Sequence, residues 1–464
     1  MAVATTPASA SAQALFKNGV AEHVAGKVEA AAHYYRDALQ LNPFLAEAHN
    51  NLATASSQLG DNDSAQGGFE RAVELKPDYA EGHSNLGILW SERGRHDLAL
   101  PFLERAVALD DSNPSWFNNL GNSYIEHFRF ADALDAYDRG IAQASDSVDC
   151  WSNRSLALRG LRRPDDAIAS LQRALQLAPS HVNSLSNLGI VLKEQKRFSE
   201  AIRAMKKAIE IEPENAALWA NFAAIYEPMG DYDRMREAAT HASSIDPDYP
   251  EPYNLLANCE LEAGQYDAAE ALYQRVIGLD PDNRNANWNL ALIWLMRGDF
   301  ERGWKQFEWR KRLHSVVLDH NDYGRPEWTG DSLDGRDVLL HSEQGIGDAI
   351  QFIRFAPLVK AMGAGRVYLE CPFSIVPLLS GVAGIDGVIA RGAPLPTYDV
   401  HASLMSLPGL LGSTLDTVTH AVPYLPVEPR TARSAVVAPP GSLKIGIVWA
   451  GNPIHARDFL RSAP

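Results

Sequence analysis

The chain has 464 residues, of which 46% are hydrophobic and 22% are charged, so it is a folded protein too long for one compact domain. Its net charge of −16 and isoelectric point near 5.3 argue against a nucleic-acid backbone as the main partner. Three scattered cysteines without metal-ligand spacing, and no apolar stretch long enough to cross a bilayer, indicate a protein of the reducing cytoplasm.

The first eleven residues differ from the rest of the chain. Residues 1–11 are rich in alanine, serine and threonine, and they lack the basic start and apolar core of a signal peptide. We expect a short disordered tail here, with regular structure beginning at residue 12.

From residue 12 to residue 313 the chain repeats every 34 residues, through nine units. Small side chains recur at positions eight and twenty of each unit, and a bulky one recurs at position twenty-four. Most units close with a proline: Pro43, Pro77, Pro179, Pro213, Pro247 and Pro281. Small residues let two helices cross closely, the bulky residue fills the remaining gap, and proline ends the second helix. These features resemble the tetratricopeptide repeat, whose units stack into a superhelix with a concave groove.

An asparagine recurs at position six of seven units, although asparagine is a poor helix former. The residues are Asn51, Asn85, Asn119, Asn153, Asn187, Asn221 and Asn289. A side-chain amide can donate to one peptide group and accept from another, so the series could hold an extended polypeptide. It resembles the ladder in the nucleocytoplasmic O-linked N-acetylglucosamine transferases, which holds peptide backbone. The alternative is that each asparagine bonds a backbone group of the adjacent repeat.

The ninth unit departs from the pattern. Gly303 replaces the usual alanine, and Trp304 and Phe307 follow on one helix face. Because terminal repeats cap the stack or contact the next domain, we expect this unit to pack on the domain that follows. The basic run Arg310–Arg312 suits either a helix C-terminus or simple solvation.

After a predicted linker over residues 314–335, strands and helices alternate. The expected elements are strand Val338–His341, helix Ala349–Met362, strand Arg366–Glu370, helix Phe373–Leu379, strand Gly387–Ala390 and strand Asp399–His401. This order predicts a parallel sheet with right-handed crossovers over residues 336–440. Residues 441–464 then read as the first strand and glycine loop of a second such domain.

The first of these strands runs directly into a glycine loop, Glu343-Gln344-Gly345-Ile346-Gly347-Asp348, and then into a helix. Such a strand, loop and helix usually open a ligand crevice in an α/β domain. The glycines allow a sharp bend and close approach of a ligand, and a helix start attracts anions. Asp348 is either a functional carboxylate or a helix N-cap.

This loop, the segment Pro326-Glu327-Trp328 and the motif Trp449-Ala450-Gly451-Asn452-Pro453 resemble bacterial tetratricopeptide-repeat proteins with a glycosyltransferase domain related to the heptosyltransferases. The resemblance implies a GT-B fold of two facing Rossmann-like halves, with a nucleotide sugar as substrate and no metal or other cofactor. It implies that Asp348 is the general base of an inverting transfer.

The resemblance also assigns the residues around this aspartate. It implies that the loop on the acceptor side consists of Glu343, Gln344, Gly345 and Gly347. It implies that the loop on the donor side contains Gly451, Asn452, His455, Arg461 and Ser462. Most of the donor-side half would then lie beyond residue 464.

Two functions follow from these patterns. In the first, the protein is a glycosyltransferase whose repeats present a protein acceptor to Asp348, inactive or impaired without its second half. In the second, it is a non-catalytic scaffold that binds peptides in the repeat groove. Neither prediction includes nucleic acid or a membrane span.

Overall fold

A computed structural model describes residues 7–312, 323–343, 345–417 and 424–425 of the chain. The chain divides into two compact units, which we name unit 1, Met1–Leu290, and unit 2, Ala291–Pro464. Each unit is described by itself below.

Unit 1 consists of helical hairpins in which each helix from α1 to α15 packs on the next one along the chain. The helices are α1 Pro7–Val24, α2 Val28–Leu41, α3 Ala46–Gln58, α4 Asn62–Leu75, α5 Ala80–Glu92, α6 His96–Leu109, α7 Pro114–Glu126, α8 Phe130–Gln143, α9 Val148–Gly160, α10 Pro164–Leu177, α11 Val182–Glu194, α12 Phe198–Ile211, α13 Ala216–Tyr226, α14 Tyr232–Ile245, α15 Pro250–Glu262, α16 Tyr266–Leu279 and α17 Arg284–Met296. The unit boundary falls within α17. Helix α1 begins at Pro7, so residues 7–11 belong to a helix and the predicted tail over residues 1–11 is wrong for them.

The hairpins form for the predicted reason. A Cβ atom added to Gly121, at position eight, would lie 2.5 Å from a ring carbon of Tyr137, at position twenty-four. A Cβ on Gly87 would likewise lie 2.7 Å from Leu103 Cγ. Tyr137 and Leu103 are buried, so the bulky residue of one helix fills the space that the small residue leaves on the other. Each closing proline lies just past the end of its helix, as predicted.

Unit 2 begins with the last part of α17 and α18 (Phe300–Phe307), followed by a 3-10 turn over Glu308–Arg312. Its sheet holds β1 Val338–His341, β2 Val367–Cys371, β3 Gly387–Ala390 and β4 Val400–Ser403. The strands are parallel, in the order β3-β2-β1-β4. The short helices are α19 Ile346–Phe352, α20 Ala356–Ala361, α21 Val376–Leu379 and α22 Leu407–Leu410.

Strand β1 is the centre of this sheet. Its first three residues, Val338, Leu339 and Leu340, are fully buried, as expected for a parallel strand covered on both faces. The chain leaves β1 toward β2 on one side and later returns to β4 on the other side. The carboxyl end of a strand at such a reversal is where open α/β sheets usually bind ligands.

One predicted helix of unit 2 is wrong in detail. The single helix predicted over Ala349–Met362 is instead α19, a 3-10 turn over Ile353–Phe355, and α20. Pro357 in the first turn of α20 lacks the N–H that a continuous helix would need. The described part of the segment predicted as a linker packs on the sheet, because Trp328 is 2% exposed and its backbone N–H donates to the His401 carbonyl at 2.8 Å.

The ninth unit packs on the domain that follows, as predicted. Within unit 2, a Cβ atom on Gly409 of α22 would lie 3.2 Å from Trp304 Cβ. The Trp304 ring also meets the Phe352 ring of α19 edge-on, with centroids 6.2 Å apart. These aromatic contacts cover one side of the sheet domain.

Candidate functional site

The position-six asparagines, which we call the asparagine ladder, lie on the first helices of their hairpins. Each of these residues is half-buried. First helices of successive hairpins contact each other directly, as α7 contacts α9 and α9 contacts α11. The ladder therefore follows one line across neighbouring helices of unit 1.

Several ladder amides bond the preceding repeat. Asn85 Nδ2 donates to Asn50 Oδ1 at 3.0 Å, and Asn153 Nδ2 donates to Asn118 Oδ1 at the same distance. The acceptor in both cases is the side chain at position five of the previous unit. These bonds confirm a link between repeats, but the acceptor is a side chain and not the backbone group expected in the alternative reading.

Tyrosines at position twenty-four extend the same network. Asn289 Nδ2 donates to the Tyr273 hydroxyl at 3.0 Å, and that hydroxyl donates to Asn258 Oδ1 at 2.5 Å. Near the start of the array, burial raises the pKa of Tyr35, and its hydrogen bond with Asn51 opposes that shift. The sequence pattern showed these tyrosines only as bulky residues; their hydroxyls also connect neighbouring hairpins.

Acidic side chains lie beside the later part of the ladder. Asn258 Nδ2 donates to Glu227 Oε1 at 3.1 Å. Burial raises the pKa of Glu251, and the charge of Glu227 raises it further, while a hydrogen bond with Asn254 and the charge of Lys193 oppose the rise. Two carboxyl groups therefore lie close enough to affect each other beside this part of the ladder.

The glycine loop of unit 2 lies at the carboxyl end of β1. Gly345 is the N-cap of α19, so the interpretation of Asp348 as the N-cap is wrong. Asp348 is the third residue of the helix and is half-exposed, with a carboxylate oxygen 3.4 Å from where a Cβ on Gly345 would lie. A Cβ on Gly347 would meet no described atom within 4 Å, so packing in the described part of unit 2 does not require glycine there.

Glu343 lies in a buried ion pair. Its two carboxylate oxygens accept from Arg310 Nε at 2.9 Å and from Arg310 Nη2 at 2.7 Å. Arg310 is 0% exposed and also donates to Glu308 and to the Ser406 hydroxyl. The reading of this arginine as a solvated side chain is wrong, whereas its position at a helix end is confirmed, because Arg310 Nη1 also donates to the backbone carbonyl of Phe307, the last residue of α18, at 3.3 Å. The acceptor role of Glu343 stays a prediction, and its carboxylate is already paired.

A histidine pair lies at the same edge of the sheet. His341 Nε2 and His401 Nδ1 are 3.3 Å apart, and the Tyr323 ring stacks on His341 with centroids 4.5 Å apart. The Tyr323 hydroxyl donates to the buried Glu370 carboxylate at 2.9 Å. Burial lowers the pKa of His341 to about 3, with a further contribution from His401, so the imidazole is neutral. Sequence reasoning missed this cluster, because these residues follow no repeating pattern.

Other predicted residues lie outside the described part of the chain. They are Gln344, Gly451, Asn452, His455, Arg461 and Ser462. A cleft of about 710 Å³ opens within unit 2 between α18 and α22, with Trp304, Trp328 and Lys311 among its walls. Asp348 does not line it. Among the described residues, no group of histidine, cysteine and carboxylate side chains could hold a metal, and no helix could cross a membrane.

Two family models match the helical part of the chain. The model of the cilia and flagella-associated protein 70 C-terminal domain matches residues 79–288, and a tetratricopeptide repeat model matches residues 16–65. No curated protein sequence is similar enough to count as a match.

The chain is also similar to several solved structures. A tetratricopeptide repeat protein from Parabacteroides merdae is 18% identical, with a TM-score of 0.48 over 53% of this chain and 98% of its own. The PilF protein of Pseudomonas aeruginosa is 18% identical, with a TM-score of 0.39 over 46% of this chain and 97% of its own. YrrB, described as a tetratricopeptide repeat protein with an unusual peptide-binding site, is 23% identical, with a TM-score of 0.31 over 40% of this chain and 95% of its own.

Proposed function

Since the helical part of this chain is a tetratricopeptide repeat array, we propose that the protein is a scaffold. It binds an extended segment of another protein along the asparagine ladder. The observation that supports this most directly is the ladder itself. Half-buried asparagines recur at one helical position on helices that contact each other in sequence.

The chemistry of the amide favours backbone recognition. A peptide segment presents an N–H and a C=O at each residue, and an asparagine side chain complements both groups. Repeated amides along a line can therefore hold an extended chain whatever its side chains are. Selectivity for one partner would come from neighbouring groups, such as the acidic side chains Glu227 and Glu251.

The test is a binding measurement on arrayed random peptides of twelve residues. We expect the unaltered protein to retain a subset of them, and the triple variant Asn119→Ala, Asn153→Ala, Asn187→Ala to bind that subset at least about tenfold more weakly, a loss of about 1.4 kcal/mol. The variant Asn62→Ala, which removes an exposed asparagine outside the ladder, is the control and should bind normally. Equal affinity in the triple variant would contradict the proposal.

A second function concerns unit 2. The glycine loop follows β1 at the reversal of strand order, and Asp348 is half-exposed beside it. This placement supports sugar transfer from a nucleotide sugar, with Asp348 as the base that takes the proton of an acceptor hydroxyl. Its donor-side residues lie outside the described part of the chain.

Sugar transfer is tested with a panel of nucleoside-diphosphate sugars and the peptides that the array retains. We expect weak transfer by the unaltered protein because most of the implied donor-side half would lie beyond residue 464, loss of transfer in Asp348→Asn, and undiminished transfer in Asp416→Asn, which changes an exposed aspartate of the same unit. Undiminished turnover in Asp348→Asn would refute the role as base, and absence of transfer from every donor would refute this second function.

A further inference from the structure

The ladder asparagines are not equivalent. Asn85 and Asn153 donate to the preceding repeat at 3.0 Å, as described above. The side chains of Asn119 and Asn187, in the alternate units, form no hydrogen bond with any described residue. Both are half-buried on first helices, as the bonded ones are.

The residue at position five of the preceding unit explains the difference. At Asn50 and Asn118 it is asparagine, and the side-chain oxygen reaches the next amide. Asn289, which follows Asn254, donates instead to Asn258 and Tyr273. Where it is serine, the oxygen ends one bond closer to the backbone. Asn221 reaches the Ser186 hydroxyl only at 3.4 Å, which is the limit of a hydrogen bond.

The two remaining serines have no partner for their hydroxyls. Ser84 and Ser152 stand where Asn119 and Asn187 would find an acceptor, and their buried hydroxyl oxygens bond no described atom. The side chains on both sides of each missing bond thus have no hydrogen-bond partner among the described residues, whereas Asn85 and Asn153 are each bonded to the preceding repeat.

We propose that the ladder is divided between two tasks, an inference that rests on the proposed function. Asn85 and Asn153 connect repeats. Asn119 and Asn187 contact the backbone of the bound polypeptide. An unbonded amide can donate and accept at once without breaking any contact within the protein. A bonded amide keeps its second N–H and its oxygen, but the link to the neighbouring repeat fixes the direction in which both point, so it cannot turn to meet a peptide without losing that link.

The spacing of the two amides sets the length of chain between them. Asn119 lies on α7 and Asn187 on α11, with α9 in contact with both helices. Packed helix axes are about 8–10 Å apart, so the two amides are about 16–20 Å apart. An extended chain advances about 3.3 Å per residue, so the amides contact backbone groups about five or six residues apart.

Matched double variants test this division with the full chain. The probe is a twelve-residue peptide selected from the random array for binding to the unaltered protein. We expect Asn119→Ala with Asn187→Ala to weaken binding at least about tenfold and to leave the thermal midpoint unchanged. We expect Asn85→Ala with Asn153→Ala to change affinity less than about threefold and to lower the midpoint by about 2–4 °C per lost bond.

A scan with backbone N-methyl groups along the same peptide supplies a second readout. We expect N-methylation to weaken binding at two peptide positions about five or six residues apart. One of these effects should disappear in Asn119→Ala and the other in Asn187→Ala. Both effects should remain in the Asn85 and Asn153 double variant. Equal loss of affinity in the two double variants would overturn the division while leaving the peptide-binding scaffold in place. Unchanged affinity in both, and in the triple variant, would overturn the scaffold itself.

Discussion

Replacement of Arg310 by methionine should destabilise unit 2 more than any surface change nearby. The guanidinium is 0% exposed and forms two hydrogen bonds with Glu343, which is 5% exposed. Methionine fills similar space without charge, so the substitution leaves the Glu343 carboxylate buried without a cation. Breaking a buried ion pair in this way costs about 3–5 kcal/mol.

The other partner of Arg310 adds little to this cost. Glu308 is 39% exposed and keeps Lys311 at 2.7 Å, so it remains hydrated and paired. The penalty should therefore come from Glu343, and a double replacement of Arg310 and Glu343 by methionine should recover most of it. Replacing both members of a buried pair by apolar residues is often neutral.

Backbone hydrogen exchange followed by mass spectrometry measures the effect in the full chain. In Arg310→Met, the amides of β1 should exchange about two to four orders of magnitude faster, because each 1.4 kcal/mol corresponds to a factor of ten. Arg312→Met, an exposed arginine of the same turn, is the control and should change exchange less than about threefold. Two results would refute the reasoning: an increase in the β1 exchange rate below tenfold in Arg310→Met, or an exchange rate in the double variant as fast as in Arg310→Met.

Two further predictions concern packing and pH. Gly121→Ala should lower the free energy of unfolding of unit 1 by at least about 1 kcal/mol, because its Cβ would lie 2.5 Å from the buried Tyr137 ring. Gly67→Ala has open space around its Cβ and should raise that free energy by about 0.5–1 kcal/mol. Urea unfolding measures both changes, and a gain in stability for Gly121→Ala would contradict the packing. The pKa of His341 is about 3 in the folded protein and about 6.5 in the unfolded chain, so between these pH values only the unfolded chain takes up a proton at this residue. The free energy of unfolding of unit 2 should therefore fall by up to about 1.4 kcal/mol per pH unit as the pH falls from 6.5 toward 3. The His341 ring signals in NMR should stay those of a neutral imidazole from pH 8 to pH 5, and a midpoint above pH 5 would contradict the burial.

The helical array could be predicted from the sequence because its contacts are local and repeated. The Gly121–Tyr137 contact joins residues 16 apart, and equivalent pairs recur in successive units. The proposed division of the ladder also follows a sequence pattern, since position five is asparagine at Asn50 and Asn118 and serine at Ser84 and Ser152. This pattern can be interpreted only from the stacked hairpins, because they show which side chain reaches the next repeat.

The strands of unit 2 could also be predicted, since buried parallel strands appear as short apolar runs such as Val338–His341. Their partners could not. Arg310 meets Glu343 across 33 residues, and His341 meets His401 across 60, with no period relating them. The sequence by itself determined the repeats, their turns and the alternation of the sheet domain, because those follow from local spacing. Only the tertiary structure decided which charges are buried and which amides are bonded, because burial and pairing depend on where distant segments meet.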